Sequence, residues 1–370
     1  MKVRAAVLRE SGLPKPYAES RPLELAELDL APPGPGELLV RVRAAGLCHS
    51  DLSVIDGSRP RPLPMVLGHE AAGEVVEVGP GVRRARVGDH VVLTFVPSCG
   101  ECPPCRAGRP ALCEPGAAAN ARGLLATGGS RWSSDGERLH HHLGVSAFAE
   151  HTVVAEASAV VVDRDLPFDV AAIFGCAVLT GVGAVLNAGH VAAGDRVAVF
   201  GLGGVGLAAV LGALHAGASD VFAVDLVASK LELARELGAT AVEGDPVAGI
   251  RELTDGGVEV AVETAGSEVA LAQAYAATRR GGTTVTVGLP DPSRMLTIPA
   301  LSLTAEERIL RGSYLGSSVP ERDVPSLIEL YREGRLPVDR LLTHRLGLDE
   351  LNEGFDRLGR GQAVRQAVIL

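Results

Sequence analysis

Aromatic side chains are scarce, 12 in 370 residues with a single tryptophan, so Ala, Val and Leu must fill most of the core. Cysteine is scarcer still at 6, and a disulfide framework would be odd in a chain of this length. No Lys/Arg block stands out against a net charge of −10 and a pI near 5.5, which argues against nucleic acid as a partner. The opening MKVRAAVLRESGLP carries charges at Lys2, Arg4, Arg9 and Glu10 and lacks the apolar core a signal peptide needs. With reduced thiols available as ligands, the cytoplasm is the expected compartment. One uncharged run, Val197 to Leu214, is eighteen residues long and reaches the lower limit for a membrane span. Its five glycines and its β-branched start, turning at Gly201, read instead as a buried strand feeding a buried helix. No membrane association is expected.

What is present suits two packed domains: 370 residues, 46% hydrophobic and 22% charged. The first half holds short Val-rich segments, ELLVRVRAAGLC, GEVVEVG, DHVVLTFV and FAEHTVVA, divided by Gly, Pro and Asp turns. These predict an irregular β-domain. Residues 114–144 show little periodicity and read as a long surface loop. After Asp169 strand-like and helix-like segments alternate, from RVAVFG through LAAVLGALHAGA, DVFAVD, ASKLELARELGA and VEVAVETAG to TTVTVGLP. Such alternation predicts an α/β domain with a doubly wound parallel sheet. Beyond Ser317 the mixed style of the first half resumes. The domains are therefore drawn as 1–178, 179–317 and a C-terminal segment, 318–370, returning to the first.

The six cysteines divide into two sets. Cys99, Cys102, Cys105 and Cys113 fall within fifteen residues and can clamp one ion locally, whereas Cys48 and Cys176 lie 128 apart with His69 between them in sequence. Thiolate and imidazole suit zinc, which in structural sites is closed by four protein ligands and in catalytic sites keeps one position open. Four thiolates also suit an iron–sulfur cluster, and a cysteine in an apolar run such as FGCAVL is more often core than ligand. His140, His141 and His142 suggest metal by composition but read as loop, with His142 able to reach the substrate channel. GLGGVG, with Gly201, Gly203, Gly204 and Gly206, directly follows the strand VAVF and opens an apolar helix. A dinucleotide needs that context: a tight turn, a backbone pressed on the pyrophosphate and a helix N-terminus aimed at it. Asp225, nineteen residues after Gly206, can accept from the ribose hydroxyls and would repel a 2′-phosphate, favouring NAD over NADP.

These motifs together resemble the zinc-dependent alcohol dehydrogenases of the medium-chain dehydrogenase/reductase superfamily, over essentially the whole chain from GLCHSD and GHEAAGEVVEVGPGV to the closing GFDRL. The resemblance implies a GroES-like catalytic domain joined to a Rossmann coenzyme domain, with the active site in the cleft between them. It also implies two zinc ions per chain, NAD, a small alcohol or aldehyde substrate, and a homodimer or homotetramer. A two-cysteine, one-histidine set is the known catalytic zinc set of alcohol dehydrogenases, which carries over to Cys48, His69 and Cys176. Glu70 would sit behind the metal, and Asp51 would take the second ring N–H of His69. Ser50 would accept the substrate proton, Thr180 and Val205 would lie against the nicotinamide, and Lys230 and Arg365 would stand near the adenosine ribose and the pyrophosphate. The four-cysteine lobe would hold structural zinc. The chemistry asks for this arrangement, because hydride leaves an alcohol carbon readily only when its oxygen is alkoxide-like, and a Lewis acid makes it so near neutral pH.

Three positions depart from the family pattern. His49 replaces an arginine often used for pyrophosphate, Ser53 replaces the histidine that ends the proton relay in many relatives, and Arg59 stands where the channel wall is usually apolar. The relay's last step then falls to His49 or to solvent, and Arg59 reads as a solvated loop arginine or, in the sharper alternative, as a residue favouring substrates with a polar or anionic end. Two other functions fit part of the pattern: a thiol-adduct dehydrogenase of the formaldehyde/S-nitrosothiol type, and a non-catalytic NAD-binding protein. The first would require a low-molecular-weight thiol for turnover, and the second would form no NADH from any alcohol.

Overall fold

A computed structural model describes all 370 residues. The chain forms two compact units, Met1–Cys176 with Val319–Ser326 and Leu342–Leu370, and Ala177–Ser318 with Leu327–Leu341. Leu327–Leu341, expected with the first domain, belongs to the second. The reason is tertiary: Arg340 donates to the carbonyl of Glu236 at 3.2 Å and to its carboxylate at 3.0 Å, and Val338–Leu341 packs on the helix Gly204–His215.

The first unit is built on two sheets. In one, Glu37–Leu47 is central, pairing antiparallel with Ala71–Val78, His151–Ala155 and the C-terminal strand Arg365–Ile369. In the other, Lys2–Leu8 lies between Leu23–Leu30 and Met65–Val66. The lone Trp132 is buried with Leu28, Leu30, Leu39 and Val153. Residues 114–144, expected to be loop, contain the helix Glu114–Ala121 and three short strands. Cys113 caps that helix, its sulfur accepting from Gly116 N–H. The strands Trp132–Ser134 and Glu137–Arg138 form a hairpin whose two turn residues, Asp135 and Gly136, both have positive φ. An Asp-Gly pair between strands is a hairpin signal, and it was visible in the sequence.

In the second unit six parallel strands take the order Thr240–Ala241, Asp220–Val224, Arg196–Phe200, Val258–Glu263, Thr278–Thr286 and Ile309–Gly312. The order reverses at Arg196–Phe200, the topological switch point where doubly wound sheets bind ligands beyond the strand carboxyl ends. The apolar run 197–214 divides as expected, into this strand and the helix Gly204–His215. A longer apolar helix, Phe168–Ala188, has the length and composition to cross a membrane, and 89% of its apolar window is buried inside the protein.

A buried carboxylate fixes one flank of the first unit. Glu37, fully buried, accepts from Arg131 Nε at 2.7 Å, Arg131 Nη2 at 3.1 Å, Thr127 Oγ1 at 2.6 Å and Gly34 N–H at 2.7 Å. Glu37→Ala strands those donors, and losing charge-assisted bonds of this kind costs about 2–3 kcal/mol. The expected result is a lowered urea midpoint; an unchanged midpoint contradicts the assignment.

Candidate metal and coenzyme sites

Cys48 ends the strand Glu37–Leu47 and stands at the N-cap of the helix His49–Ile55. His69 and Glu70 lie between the strands Met65–Val66 and Ala71–Val78. Cys176 falls in a π-helical turn, Phe174–Val178, a wider turn often found at functional positions. Folding brings all four together: one donor atom from each of Cys48, His69, Glu70 and Cys176 lies within 4.8 Å of the others, and every residue is buried.

The ring of His69 is turned by Asp51, whose Oδ1 lies 3.1 Å from His69 Nδ1 and also accepts from Gly68 N–H at 3.2 Å. That leaves His69 Nε2 buried with no partner in the protein. Glu70 pairs with Arg365, whose Nη2 is 3.0 Å from Glu70 Oε2 and whose Nη1 donates to Leu47 O at 3.0 Å. Arg365, expected near the pyrophosphate, is 4% exposed and faces Glu70. Burial pushes the Glu70 carboxyl up to about 7, against the pull of Arg365. Hydrogen bonding with Cys176 holds Cys48 well below the usual thiol range despite burial, and the same bond raises Cys176. Burial disfavours a charged His69, yet the adjacent Asp51 carboxylate overrides it and raises the ring well above its usual value. Two sulfurs, a carboxylate and an unpartnered imidazole nitrogen packed away from water form a donor set that fits a soft divalent cation, zinc above all.

Sequence reasoning missed the part played by His142. It is 1% exposed, and its Nδ1 lies 3.0 Å from Asp51 Oδ1, although off the direction of a well-formed hydrogen bond. His140 and His141 pair in parallel with Met65 and Val66, so the expected loop is a short strand. Adjacent strand residues point to opposite faces, and His141 accepts from Arg131 N–H at 3.3 Å. Only the last of the three reaches the metal side. Ser50 and Arg59 are half-buried and His49 is exposed. Ser53 Oγ donates back to His49 O at 2.8 Å.

The second cysteine set also converges, with Cys99, Cys102, Cys105 and Cys113 sulfurs all within 4.8 Å of one another. Backbone N–H groups of Glu101 and Cys102 point at Cys99 Sγ, at 3.4 and 3.3 Å, and they hold that thiol down to about 7. Cys99 N–H and Gly116 N–H point at Cys113 Sγ, at 3.2 and 3.4 Å. Donors aimed at sulfur favour thiolate, the form that binds metal, and at Cys113 burial outweighs them and raises the thiol.

In the second unit the glycines of GLGGVG differ in their reasons. Gly201 has φ +91°, and a Cβ on Gly206 would come within 1.8 Å of the Gly201 carbonyl oxygen. A Cβ on Gly203 would meet nothing within 4 Å. The protein itself therefore does not require glycine at position 203; a ligand pressed against the backbone does. Gly203 caps the helix Gly204–His215, whose first turn holds Gly204 and Val205. Helix Leu179–Gly183, carrying Thr180, runs so close that a Cβ on Gly181 would sit 2.2 Å from Val205 O. Asp225 accepts from Leu202 N–H at 2.6 Å and Val227 N–H at 2.9 Å, with Lys230 Nζ 4.0 Å away.

The alcohol dehydrogenase GroES-like domain model matches residues 34–164 and the zinc-binding dehydrogenase model matches 204–333. The chain is 39% identical to the NDMA-dependent alcohol dehydrogenase of Amycolatopsis methanolica, covering 100% of this chain and 99% of that protein. It is 37% identical to an alcohol dehydrogenase class-3 of Cereibacter sphaeroides, over 100% of both. Among solved structures, benzyl alcohol dehydrogenase from Acinetobacter calcoaceticus superposes with a TM-score of 0.93 at 35% identity, covering 100% of this chain and 99% of that one. The chain belongs to the zinc-type alcohol dehydrogenase family of the medium-chain dehydrogenases, with the GroES-like and Rossmann folds of that family.

The glycine geometry separates two variants. Gly203→Ala should leave the melting temperature nearly unchanged but weaken nicotinamide dinucleotide binding by at least about ten-fold. Gly206→Ala, which drives a methyl into a carbonyl, should cost about 1–3 kcal/mol of stability as well. Calorimetric titration and thermal melting read the two effects; tight binding by Gly203→Ala contradicts the cradle.

Proposed function

We propose that the chain is an NAD-dependent alcohol dehydrogenase that holds two zinc ions, one of them catalytic, and moves hydride reversibly between a small alcohol and the coenzyme. The observation that carries this reading is the buried Cys48, His69, Glu70 and Cys176 set, with His69 Nε2 left unpartnered. Cys48, His69 and Cys176 would hold the catalytic ion, and Cys99, Cys102, Cys105 and Cys113 the structural one. Zinc in the first set supplies a Lewis acid that stabilises negative charge on the substrate oxygen.

The rest of the chemistry falls to side chains. Asp51 fixes the ring orientation and tautomer of His69. Ser50, two residues beyond Cys48, takes the hydroxyl proton of the alcohol and passes it toward solvent, a task that needs a group able both to accept and to donate. Bound NAD would supply the acceptor for the carbinol hydride, so that an alcohol would leave as its carbonyl with reduced coenzyme and one released proton. Thr180 and Val205 set the nicotinamide face that receives the hydride. Arg365 balances the buried Glu70 carboxylate beside the metal ligands. Asp225, already oriented by two backbone N–H groups, accepts from the adenosine ribose hydroxyls and repels a 2′-phosphate; Lys230 lies beside it. His49, exposed at the first helical position after Cys48, is the pyrophosphate contact on this reading.

The protein would act in the cytoplasm as a homodimer or homotetramer. Supporting self-association, Ile309–Gly312 is the edge strand of the parallel sheet, and Leu301, Leu303 and Ile309 beside it are 77%, 41% and 44% exposed. Exposed apolar edges invite pairing.

Metal analysis of the purified chain should return about two zinc per chain, and Cys48→Ala about one, with NADH formation from a panel including benzyl alcohol abolished and NAD binding kept. Wild-type turnover in that variant sinks the catalytic assignment. Asp225→Ala should raise kcat/KM for NADP relative to NAD by at least about ten-fold, measured with a single alcohol; an unchanged ratio argues against Asp225 as the discriminator.

A further inference from the structure

One buried imidazole has no part in the steps above. His142 is anchored through its backbone: its N–H donates to Ser146 Oγ at 2.9 Å, and Ser146 Oγ in turn donates to Val66 O at 2.7 Å. Its Nδ1 lies 3.0 Å from Asp51 Oδ1, the same oxygen that faces His69 Nδ1 at 3.1 Å. The rings of His142 and His69 meet edge to face, centroids 5.4 Å apart at 88°. Phe95 stands against His69 in the same way, also at 5.4 Å and 88°. Asp51 Oδ2 has no partner, so everything that holds the carboxylate converges on Oδ1: Gly68 N–H and the two imidazoles.

We propose that His142 is a positioning residue for the metal ligand His69, acting through the Asp51 oxygen that both imidazoles face and through the edge of its own ring. A carboxylate held by a single imidazole and one backbone N–H can swing about its last side-chain bond, and the ligand ring would swing with it. A second nitrogen beside the same oxygen, carried by a buried ring whose backbone is tied to Ser146 and Val66, restricts that freedom. Partners of this kind, one shell out from a metal, typically govern ten- to a hundred-fold of its affinity.

The inference rests on the reading of Cys48, His69 and Cys176 as zinc ligands, and the test separates the two. The zinc affinity of the purified wild-type enzyme and its variants is measured by chelator competition, alongside the visible absorption of the cobalt-substituted enzyme. His142→Phe keeps a ring and removes the nitrogen. It should release one of two zinc ions at least about ten-fold more readily, with a shifted cobalt spectrum and the four-cysteine zinc retained. His142→Asn, whose amide nitrogen falls near the place of Nδ1, should recover most of the affinity. Should the phenylalanine variant not fold, His142→Gln, whose amide reaches the Nε2 position instead, carries the same expected loss. In an Asp51→Asn background the further change at His142 should cost little, because the path between the rings is already broken. Wild-type affinity and spectrum in His142→Phe overturn the inference, as does a full additional loss in the Asp51→Asn background. A wild-type chain that binds one zinc overturns the ligand reading and this inference with it.

Discussion

Bringing two sulfurs, a carboxylate and an imidazole within 4.8 Å of one another, all out of water, is a packing no apolar core would choose. Each polar group left buried without a partner costs on the order of 1–3 kcal/mol, and charged ones more. Neighbouring groups offset part of this. Arg365 faces Glu70, Asp51 faces His69, and hydrogen bonding between the two thiols lowers Cys48 and raises Cys176. What remains is a pair of sulfurs beside an imidazole nitrogen with no partner in the protein, and a divalent cation answers both at once. The surrounding structure follows from holding these four groups in place: a strand end for Cys48, a tight link between strands for His69 and Glu70, and a widened helical turn for Cys176.

The coenzyme unit works on the opposite principle. Its six strands are parallel, and the three at the centre, Asp220–Val224, Arg196–Phe200 and Val258–Glu263, are mostly buried and rich in Val and Ala. Two acidic groups stand where these strands end. There Asp225 takes two backbone N–H groups, and Glu263, at the end of a neighbouring strand, accepts from Gly266 N–H at 2.6 Å and Thr286 Oγ1 at 2.7 Å. Burial raises the Glu263 carboxyl above its ordinary range, and the donors around it work the other way. Acidic side chains at the carboxyl ends thus pin the loops that a dinucleotide must lie against.

Legibility in the sequence tracked how local the cause was. The strand–glycine–helix unit at 196–215 could be read directly, because each residue's reason lies within a few positions of it. The four-cysteine lobe was equally open, since its ligands span fifteen residues. The hairpin at Asp135-Gly136 is also local, but the surrounding Gly- and Ser-rich segment masks its two-residue turn signal. Other features depended on distant neighbours. Arg365 meets Glu70 only because the last strand pairs with Glu37–Leu47, and Leu327–Leu341 belongs to the second unit through contacts made about a hundred residues earlier in the chain. His142 reads as the end of a polar run; it lies just past the strand His140–His141, and tertiary packing sets it against Asp51.

One further regularity links sequence to site, and it concerns side chains that are missing. A glycine closely precedes each arm of the metal set: Gly46 before Cys48, Gly68 before His69 and Gly175 before Cys176. A Cβ at Gly46 would lie 2.5 Å from Glu70 Oε1, so its absence makes the room in which the carboxylate turns toward Arg365. A Cβ at Gly68, where φ is +92°, would lie 2.6 Å from Phe148 N, and at Gly175 it would lie 2.1 Å from Leu93 O. At Gly68 and Gly175 backbone is drawn against backbone immediately before a donor, and at Gly46 the backbone is drawn against the Glu70 side chain; each close approach leaves the donor few ways to face. Metal affinity rewards such preorganisation, because donors already in position lose little freedom on binding. The ligand residues name the metal, and the glycines beside them determine how closely its site can be assembled.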